Sequence, residues 1–312
     1  MKILVTGALG HIGSALIRKL PDIFEDLSIV MVDDLSTQRY CSLFNLPEQV
    51  SYTFIESKIQ QLDLEKILTD VDVVVHLAAT TDATGTVHTP ELVYENNFSA
   101  TQLIAQACLK YNVPLIFPST TSVYGSQSAL VDEECTELCP QSPYAACKIK
   151  EETLLRELAT QGLQVTICRL GTIYGTSEGM RFHTAVNKFC WQAVMDQPLT
   201  VWETALDQKR PYLFLDDAVS AIGWIIKNKL FSGQTYNVVT GNHTVRDILT
   251  VIREDIENVQ VTYVQHAIMN QLSYEVSPEK LRKTGFEFGG PLQKGIGQTV
   301  KLLKNAHKRG VV

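Results

Sequence analysis

A glycine-rich stretch directly behind a short apolar run constrains the fold of this 312-residue chain more than any other feature. The run Lys2–Val5 leads into TGALGHIG, which places glycines at positions 7, 10 and 13. In a turn from strand to helix, the first glycine permits a tight bend and the second lets backbone approach a diphosphate, while the third lets the helix pack on the sheet. The helix N-terminus then offers free N–H groups to an anion. The sequence therefore predicts a strand, a phosphate-binding loop and a helix.

Short β-branched runs recur along the first 170 residues, with helical patterns between them. These runs are nearly continuous rather than alternating, as in strands that are buried on both faces of a parallel sheet. Strand–helix alternation at this spacing predicts an α/β fold with a doubly wound parallel sheet of the Rossmann type. The predicted strands are Ile3–Val5, Ile29–Val32, Tyr52–Ile55, Val71–Leu77, Val113–Phe117 and Val165–Leu170. The predicted helices are Ser14–Leu20, Leu62–Leu68, Glu91–Tyr111 and Tyr144–Leu158.

Helical segments dominate the remainder of the chain. We predict a dinucleotide-binding domain over residues 1–170, rejoined by about residues 212–240, and a smaller C-terminal α/β substrate lobe over residues 171–312. The two parts are expected to share an interface that forms a cleft. The predicted elements beyond residue 170 are the helices Arg181–Met195, Val245–Asn258 and Leu292–Ala306 and the strands Leu199–Trp202, Tyr236–Val239 and Val261–Val264.

Composition excludes several classes of function. The net charge is −7 and the basic residues are scattered, which argues against nucleic-acid binding. No apolar stretch approaches the roughly 20 residues of a membrane span, and the chain enters a strand at once, without a signal peptide. The seven cysteines are dispersed and form no CxxC pair, so we expect reduced thiols, no metal site and a soluble, cytoplasmic protein.

An acidic residue closes the second predicted strand. Asp33 lies at the distance from the glycine loop where a carboxylate hydrogen-bonds the adenosine ribose of a dinucleotide. A carboxylate there accepts the 2′-OH of NAD and repels the 2′-phosphate of NADP. Asp34 follows, and no arginine intervenes before Arg39. The sequence therefore favours NAD as the cofactor.

A tyrosine and a lysine are spaced for acid–base chemistry. Tyr144 and Lys148 are four residues apart at the start of a predicted helix, so they share one face. An ammonium beside a phenol stabilises the phenolate and lowers the phenol pKa from about 10, which makes Tyr144 a usable general base or acid. The hydroxyl side chains of residues 119–122 follow a buried strand, at the edge where open α/β sheets bind ligands.

Together these residues resemble the extended short-chain dehydrogenase/reductase family, in the branch that acts on nucleotide-diphosphate sugars. The resemblance covers nearly the whole chain, and its landmarks follow the order of the family. They are TGALGHIG, Asp33, HLAA at 76–79, Glu95–Asn97, STTSVYG at 119–125, YAACK at 144–148, RLGTIYG at 169–175 and Arg210.

The resemblance implies roles for individual residues. Thr120, Tyr144 and Lys148 are the implied catalytic residues, with Tyr144 as the acid/base and Lys148 on the nicotinamide ribose. Arg210 is implied to clamp the diphosphate, a task that suits a guanidinium, and the backbone around Val201 to read the base. The implied NAD-binding residues are Gly7, Gly10, His11, Ile12, Gly13, Asp33, Asp34, Ser36, Thr37, Lys58, Ile59, Leu77, Ala78, Ala79, Asn97, Tyr144 and Lys148. The implied substrate-binding residues are Thr81, Thr120, Thr172, Asn187, Val201 and Arg210. The family also implies a homodimer formed by the helices Glu91–Tyr111 and Tyr144–Leu158.

Three positions depart from the family pattern. Lys58-Ile59 stands where Asp-Ile is usual, so adenine must be recognised differently and the NAD preference depends more on Asp33. Thr172 replaces a common asparagine, and Pro211 stands where an aspartate often follows the clamping arginine.

The loop after Thr120 discriminates between reactions. Sugar 4,6-dehydratases of the family usually carry Asp-Glu directly after the catalytic threonine, but here Thr121 and Ser122 fill those positions. We therefore predict NAD-dependent epimerisation of a nucleotide-diphosphate sugar at C4 through a 4-keto intermediate. The alternatives are an NAD(P)H-dependent ketoreductase or a dehydratase and, in another class, a non-catalytic NAD-binding regulatory or scaffold protein. Proteins of that last class commonly lose the tyrosine or the lysine, and both are present here.

Overall fold

A computed structural model describes residues 1–81, 90–264 and 273–306 of the chain. The strands are β1 Lys2–Thr6, β2 Ser28–Asp33, β3 Ser51–Glu56, β4 Val73–His76, β5 Leu115–Thr120, β6 Leu130–Val131, β7 Val165–Leu170, β8 Thr172–Tyr174, β9 Leu199–Trp202, β10 Arg210–Phe214, β11 Ser232–Val238, β12 Gly241–His243, β13 Val261–Val264 and β14 Glu275–Val276. The helices are α1 His11–Lys19, α2 Leu64–Leu68, α3 Pro90–Val93, α4 Ser99–Tyr111, α5 Pro143–Thr160, α6 Ala185–Val194, α7 Leu215–Lys227, α8 Val245–Asp255, α9 Glu279–Arg282 and α10 Leu292–Leu303.

Seven parallel strands form the main sheet, in the order β11-β7-β5-β4-β1-β2-β3. The strand order reverses between β1 and β4, which is where doubly wound sheets open a crevice for ligands. The predicted Rossmann-type fold is therefore confirmed. The chain returns late to this sheet, because β11 pairs in parallel with β7 at its edge.

The main sheet is buried on both faces, which explains its continuous apolar strands. In β1, Ile3 and Val5 pack with α1 and α7 on one side, whereas Leu4 packs with α4 and α5 on the other. This alternation follows from the two-residue period of a strand. The result is a three-layer sandwich that holds the carboxyl ends of the strands at one edge.

A smaller lobe lies beyond β7. Its helices α6, α8 and α10 pack together around a core that includes Val186, Ile248 and Ile296. Short sheets of β12-β10-β8 and β13-β9 complete it. The predicted limits of this lobe, residues 171–312, include residues 265–272 and 307–312, which lie outside the described residues.

Two predicted helices differ from the observed ones. The helix predicted from Arg181 begins only at Ala185, because the Asn187 amide bonds the Arg181 carbonyl and holds the preceding residues as a loop. The helix predicted over Glu91–Tyr111 is helical but contains a π-helical stretch at Tyr94–Phe98, between α3 and α4. Among the described residues, no helix combines the length and apolar character of a membrane span.

Candidate active site

The glycine loop closes tightly onto the neighbouring strand. Gly7 has a φ of +64°, and a Cβ there would lie 2.6 Å from the backbone nitrogen of Ala78. A Cβ on Gly13 would lie 2.3 Å from the carbonyl oxygen of Gly7. Side chains at either position would therefore push α1 and β4 away from the loop, so the glycines are required by the packing itself.

No capping side chain accepts a hydrogen bond from the backbone N–H groups in the first turn of α1. Gly10 is the N-cap and contributes no side-chain hydrogen bond, and the first turn contains no acidic residue. The helix N-terminus is therefore electropositive and free to receive an anion such as a diphosphate.

A groove of about 360 Å³ runs from this loop along the carboxyl ends of β1, β2 and β4. It is lined by fifteen of the residues implied to bind cofactor or substrate, and by several that the sequence did not indicate. The implied residues in the groove are Gly7, Gly10, His11, Ile12, Gly13, Asp33, Asp34, Ser36, Thr37, Lys58, Ile59, Leu77, Ala78, Ala79 and Thr81. The additional lining residues are Val32, Arg39, Ser57, Gln60, Thr80, Asn96, Ala100, Ile173, Arg181 and Thr184.

Asp33 is held in place by the backbone. Its carboxylate accepts hydrogen bonds from the amides of Leu9 and Leu35, both at 3.0 Å. Desolvation raises the pKa of Asp33, and those backbone hydrogen bonds oppose the rise. Two of the roughly four acceptor sites of a carboxylate are used in this way, which leaves capacity for a ribose hydroxyl.

Arg39 lines the groove, although no role was predicted for it from the sequence. Its side chain is half-buried in the groove, and its Nη1 would be 3.9 Å from a Cβ on Gly10. The guanidinium therefore lies over the diphosphate loop. A basic residue six positions after the strand-end Asp33 was the available signal.

Tyr144 and Lys148 lie at the start of α5, as their spacing predicts. Ser142 caps this helix by accepting a hydrogen bond from the amide of Ala145 at 3.1 Å, and Pro143 occupies its first turn. The Lys148 ammonium lies 5.9 Å from the centre of the Tyr144 ring and 4.2 Å from the centre of the Phe117 ring.

The expected lowering of the Tyr144 pKa is wrong for this structure. Burial raises the pKa of the phenol, and the Lys148 ammonium opposes that rise without overcoming it. The carboxylate of Glu151 adds to the rise. Sequence spacing predicted the ammonium correctly, but it gave no sign of the desolvation or of the nearby carboxylate.

Thr120 is the last residue of β5, the strand whose Phe117 ring lies under the Lys148 ammonium. It is buried, and its Oγ1 accepts a hydrogen bond from the amide of Ser122 at 3.1 Å, which begins a short turn. The hydroxyls of Thr121 and Tyr274 lie 3.4 Å apart. The hydroxyl-rich segment is therefore folded back on itself at the carboxyl edge of the sheet.

A buried ion pair fixes α5 against the sheet. Arg169 in β7 donates two hydrogen bonds to Glu152, at 3.0 and 2.7 Å, and Ser119 in β5 donates a third at 2.5 Å. Glu152 is fully buried. Because bidentate pairs are geometrically specific, this network sets the position of the helix that carries Tyr144.

The smaller lobe contacts the glycine loop through residues 177–179. The Ser177 hydroxyl lies 2.7 Å from Nδ1 of His11, and the amide of Gly179 donates to the Ser14 hydroxyl at 2.9 Å. A Cβ on Gly179 would lie 2.3 Å from the carbonyl oxygen of Leu9. The two parts of the molecule therefore meet directly at the cofactor loop.

Arg181 bridges the lobe and the sheet edge. Its Nη1 donates to Thr81 Oγ1 at 2.6 Å, and its charge acts on both Tyr144 and His11. Sequence reasoning placed Arg181 at a helix start and gave it no role. The structure instead places Arg181 in a loop that lines the groove, before the helix begins at Ala185.

Several implied site residues do not line the groove. Asn97 is buried, and its amide bonds the backbone of Thr80, so it shapes the groove indirectly. Asn187 is also buried, with its amide committed to the backbone of Gly175 and Arg181. The others outside the groove are Thr120, Tyr144, Lys148, Thr172, Val201 and Arg210.

Four of the six implied substrate residues, Thr172, Asn187, Val201 and Arg210, fall within the smaller lobe, whereas Thr81 lines the groove and Thr120 ends β5 of the main sheet. Thr172 and Arg210 lie on neighbouring regions of the sheet formed by β8, β10 and β12. Val201 is 1% exposed and lies in β9, where it pairs with Tyr263 of β13. Arg210 acts electrostatically on Tyr274, the tyrosine that contacts Thr121, and it therefore belongs to the same neighbourhood as Thr120.

His76 is a core residue. It is buried, and its Nδ1 lies 2.8 Å from the Thr6 hydroxyl. Burial, followed by the charge of Lys148, lowers the pKa of His76 to about 3, which keeps the ring neutral. Over the described residues, no group of three or more metal-type side chains comes together.

A diphosphate loop, a ribose-positioned carboxylate and a Tyr–Lys pair at one sheet edge define a dinucleotide-dependent enzyme of the Rossmann type. Residues 3–239 match the profile of the NAD dependent epimerase/dehydratase family, and the chain belongs to that family. The family resemblance drawn from the sequence is thereby confirmed.

Individual relatives extend this comparison. The chain is 31% identical over 278 residues to the uncharacterized UDP-glucose epimerase YtcB of Bacillus subtilis, covering 84% of each. It is 27% identical over 319 residues to the dTDP-D-glucose 4,6-dehydratase of Bos taurus, covering 96% of this chain and 88% of that one. The UDP-glucuronic acid 4-epimerase of Bacillus cereus, solved with UDP-glucuronic acid and NAD, superposes with a TM-score of 0.88 at 26% identity, covering 97% and 99% of the two chains.

Proposed function

We propose that this protein catalyses the NAD-dependent epimerisation of a nucleotide-diphosphate sugar at C4, through a 4-keto intermediate. The observation that supports the proposal most is that the Lys148 ammonium, on the helix that carries Tyr144, lies 4.2 Å from the centre of the Phe117 ring in β5, the strand that ends at Thr120. Arg181 lines the groove and acts electrostatically on Tyr144, which relates this helix to the groove. Two similar proteins support it: the UDP-glucose epimerase YtcB and the UDP-glucuronic acid 4-epimerase of Bacillus cereus.

The groove fits NAD. The N-terminus of α1 would hold the diphosphate, with Arg39 above it, and Asp33 would accept the adenosine ribose hydroxyl. Lys148 would hold the nicotinamide ribose. NAD bound there would supply the hydride acceptor and donor for the sugar carbon, and a positively charged ring that would favour the phenolate of Tyr144.

The residues of the chain supply the proton chemistry and the positioning. Tyr144, as phenolate, removes the proton of the C4 hydroxyl and later returns it. Thr120 hydrogen-bonds the same oxygen. Arg210 holds the diphosphate while the keto sugar turns to present its other face.

The loop after Thr120 argues against dehydration. Elimination of water needs an additional acid and base, but Thr121 and Ser122 occupy the positions next to Thr120. The Thr121 side chain is also buried against Tyr274. An NAD(P)H-dependent ketoreductase remains the second candidate, because it needs the same Tyr–Lys pair.

The test is to mix purified protein, without added cofactor, with UDP-glucose, UDP-galactose, UDP-glucuronate and GDP- and dTDP-linked hexoses. Interconversion of 4-epimers supports the proposal. Stoichiometric consumption of NADH with a keto sugar identifies a ketoreductase instead. No reaction with any sugar, while NAD still binds, favours a non-catalytic NAD-binding protein.

We also propose a cytoplasmic homodimer. Its interface would be formed by α4, α5 and the helical turns before α4, where Tyr94 and Leu103 are large apolar side chains at least 39% exposed. An exposed apolar face suits an interface between copies. The seven cysteines are all free thiols, in keeping with a reducing compartment.

A further inference from the structure

A second glutamate, next to the structural Glu152, lies against the catalytic lysine. Glu151 Oε2 is 3.2 Å from Nζ of Lys148, and the two side chains are 1% and 4% exposed. The residues are three apart on α5, so the helix itself brings them together. A buried carboxylate at this distance is a full ionic partner of the ammonium rather than a surface charge.

The far side of the Glu151 carboxylate is held by another helix. The Thr101 hydroxyl of α4 donates to Oε1 at 2.5 Å and is itself buried. One carboxylate oxygen is therefore fixed by Thr101, and the other is left for Lys148. Buried charges persist only where such partners compensate their desolvation, so this arrangement is specific.

The two adjacent glutamates have separate surroundings. Glu152 bonds Arg169 and Ser119 on the sheet, whereas Glu151 bonds Thr101 and Lys148. The Glu152 network accounts for the attachment of α5. It leaves Glu151 without a role in holding the helix to the sheet.

The groups that face this pair have fixed charges. Burial lowers the pKa of His76 on β4 to about 3, and burial raises the pKa of Cys147 on α5 to about 12, so both are neutral near pH 7. On β5, the Phe117 ring covers the ammonium. From the lobe, Arg181 adds a positive charge near Tyr144. Within residues 1–81, 90–264 and 273–306, the other charged groups that act on Tyr144 are Glu151 and Lys148.

We propose that Glu151 is a positioning residue that holds the Lys148 ammonium away from Tyr144 and sets how strongly that ammonium acidifies the phenol. The proposal rests on the proposed function, because it assigns Glu151 a part in the Tyr144 chemistry. The distances support it, since Nζ is 3.2 Å from the carboxylate but 5.9 Å from the Tyr144 ring centre.

The electrostatic balance at the site agrees with this role. Burial alone would lower the pKa of Lys148, but Glu151 reverses that effect and the pKa is raised overall. For Tyr144, burial raises the pKa, Lys148 lowers it and Glu151 raises it again. Removal of the Glu151 charge therefore leaves the ammonium unopposed and lowers the phenol pKa.

The experiment is a titration of tyrosinate absorbance in the near ultraviolet, recorded for each protein and for its Tyr144→Phe counterpart so that the difference reports Tyr144 alone. Glu151→Gln is expected to lower the Tyr144 pKa by about one unit. Glu151→Asp, which keeps the charge, should shift it less. Glu157→Gln, an exposed glutamate on the same helix, should leave it unchanged.

The titration needs no sugar, so it remains informative if the proposed epimerisation fails. Where activity is found, the low-pH limb of kcat should move with the titration while KM changes less. An unchanged Tyr144 pKa in folded Glu151→Gln overturns the proposal. Should that variant not fold, Thr101→Val serves instead: it removes the hydrogen bond that stabilises the carboxylate charge, so the Tyr144 pKa is expected to fall in the same direction as in Glu151→Gln. A Tyr144 pKa equal to that of the unmodified protein overturns the proposal equally.

Discussion

The phenol oxygen of Tyr144 is the atom on which the proposed reaction depends most. Tyr144→Phe removes it and leaves the ring, so activity should fall by about 10²- to 10⁴-fold, the usual contribution of a positioned acid/base. Initial rates of epimer formation measure this. Tyr263→Phe, at a 52% exposed tyrosine of β13, is the matched control and should retain full activity. A Tyr144→Phe protein of normal rate would contradict the assigned role.

Arg39 is the groove residue whose charge lies nearest the diphosphate loop. Arg39→Ala should raise the Kd for NAD about tenfold, because a hydrogen bond to a charged group contributes roughly 1.5–3 kcal/mol. Titration calorimetry with NAD provides the measurement. Arg253→Ala on the exposed side of α8 is the control. Equal affinities in both variants would exclude Arg39 from the cofactor site.

At the scale of elements, the attachment of α5 to the main sheet depends on the hydrogen bonds that Glu152 accepts from Arg169 and Ser119. Burial raises the pKa of Glu152, but hydrogen bonds and charge from Arg169 outweigh it, so its pKa is lowered overall. Because the folded pKa is below the unfolded one, this stabilisation is present above the unfolded pKa and is lost as pH falls through the folded value.

Glu152→Gln leaves Arg169 buried without its carboxylate and should reduce the free energy of unfolding by about 3–5 kcal/mol. Urea unfolding at neutral pH measures this, with Glu157→Gln as a control expected to stay within about 0.5 kcal/mol. Replacing both partners by leucine should cost less than Glu152→Gln alone. A single variant as stable as the unmodified protein would show that the pair does not hold α5.

At the scale of the whole molecule, two buried histidines make stability depend on pH. Burial is the main cause that lowers the pKa of His11 and of His76 from the ordinary histidine value of 6.5 to about 3. Below pH 6.5 the unfolded chain therefore binds protons that the folded protein does not accept. The free energy of unfolding consequently decreases as the pH is lowered from about 6.5 towards 3. Each ring should cost about 2 kcal/mol near pH 5.

His76→Gln should reduce this pH dependence by about that amount, as measured by urea unfolding at pH values near 7.5 and 5. Glutamine keeps a polar group for Thr6. Thr53→Ser, at an exposed residue of β3 that does not titrate, is the control and should leave the pH dependence unchanged. An equal loss of stability on acidification in both variants would refute the assignment to His76.

The proposed dimer is tested on its apolar face. Leu103 on α4 is 39% exposed, and Leu103→Asp would place a charge in the interface, so sedimentation should give the mass of one chain instead of two. Leu302→Asp, at a 60% exposed leucine of α10, is the control and should not change the mass. A single-chain mass for the unmodified protein would disprove the dimer.

The sequence predicts the fold and the groove well because their signals are local. A glycine loop behind an apolar run and Asp33 at a strand end each follow from neighbouring residues. The sequence did not predict roles for Arg39, Glu151 and Arg181, because these roles depend on contacts with residues far away in the chain. Arg181 contacts Thr81, for example, and Glu151 contacts Thr101. The Tyr144 pKa was misjudged for the same reason, since desolvation is a property of the assembled site.

Gly179 lies at the point where the smaller lobe meets the glycine loop. Its backbone touches the loop at Leu9 so closely that one added methyl group would act as a wedge. Alanine at position 179 would force the smaller lobe and the glycine loop apart without changing Tyr144, Lys148 or Thr120. Substitutions of increasing size at Gly179 would therefore change the relative orientation of the smaller lobe and the glycine loop in steps.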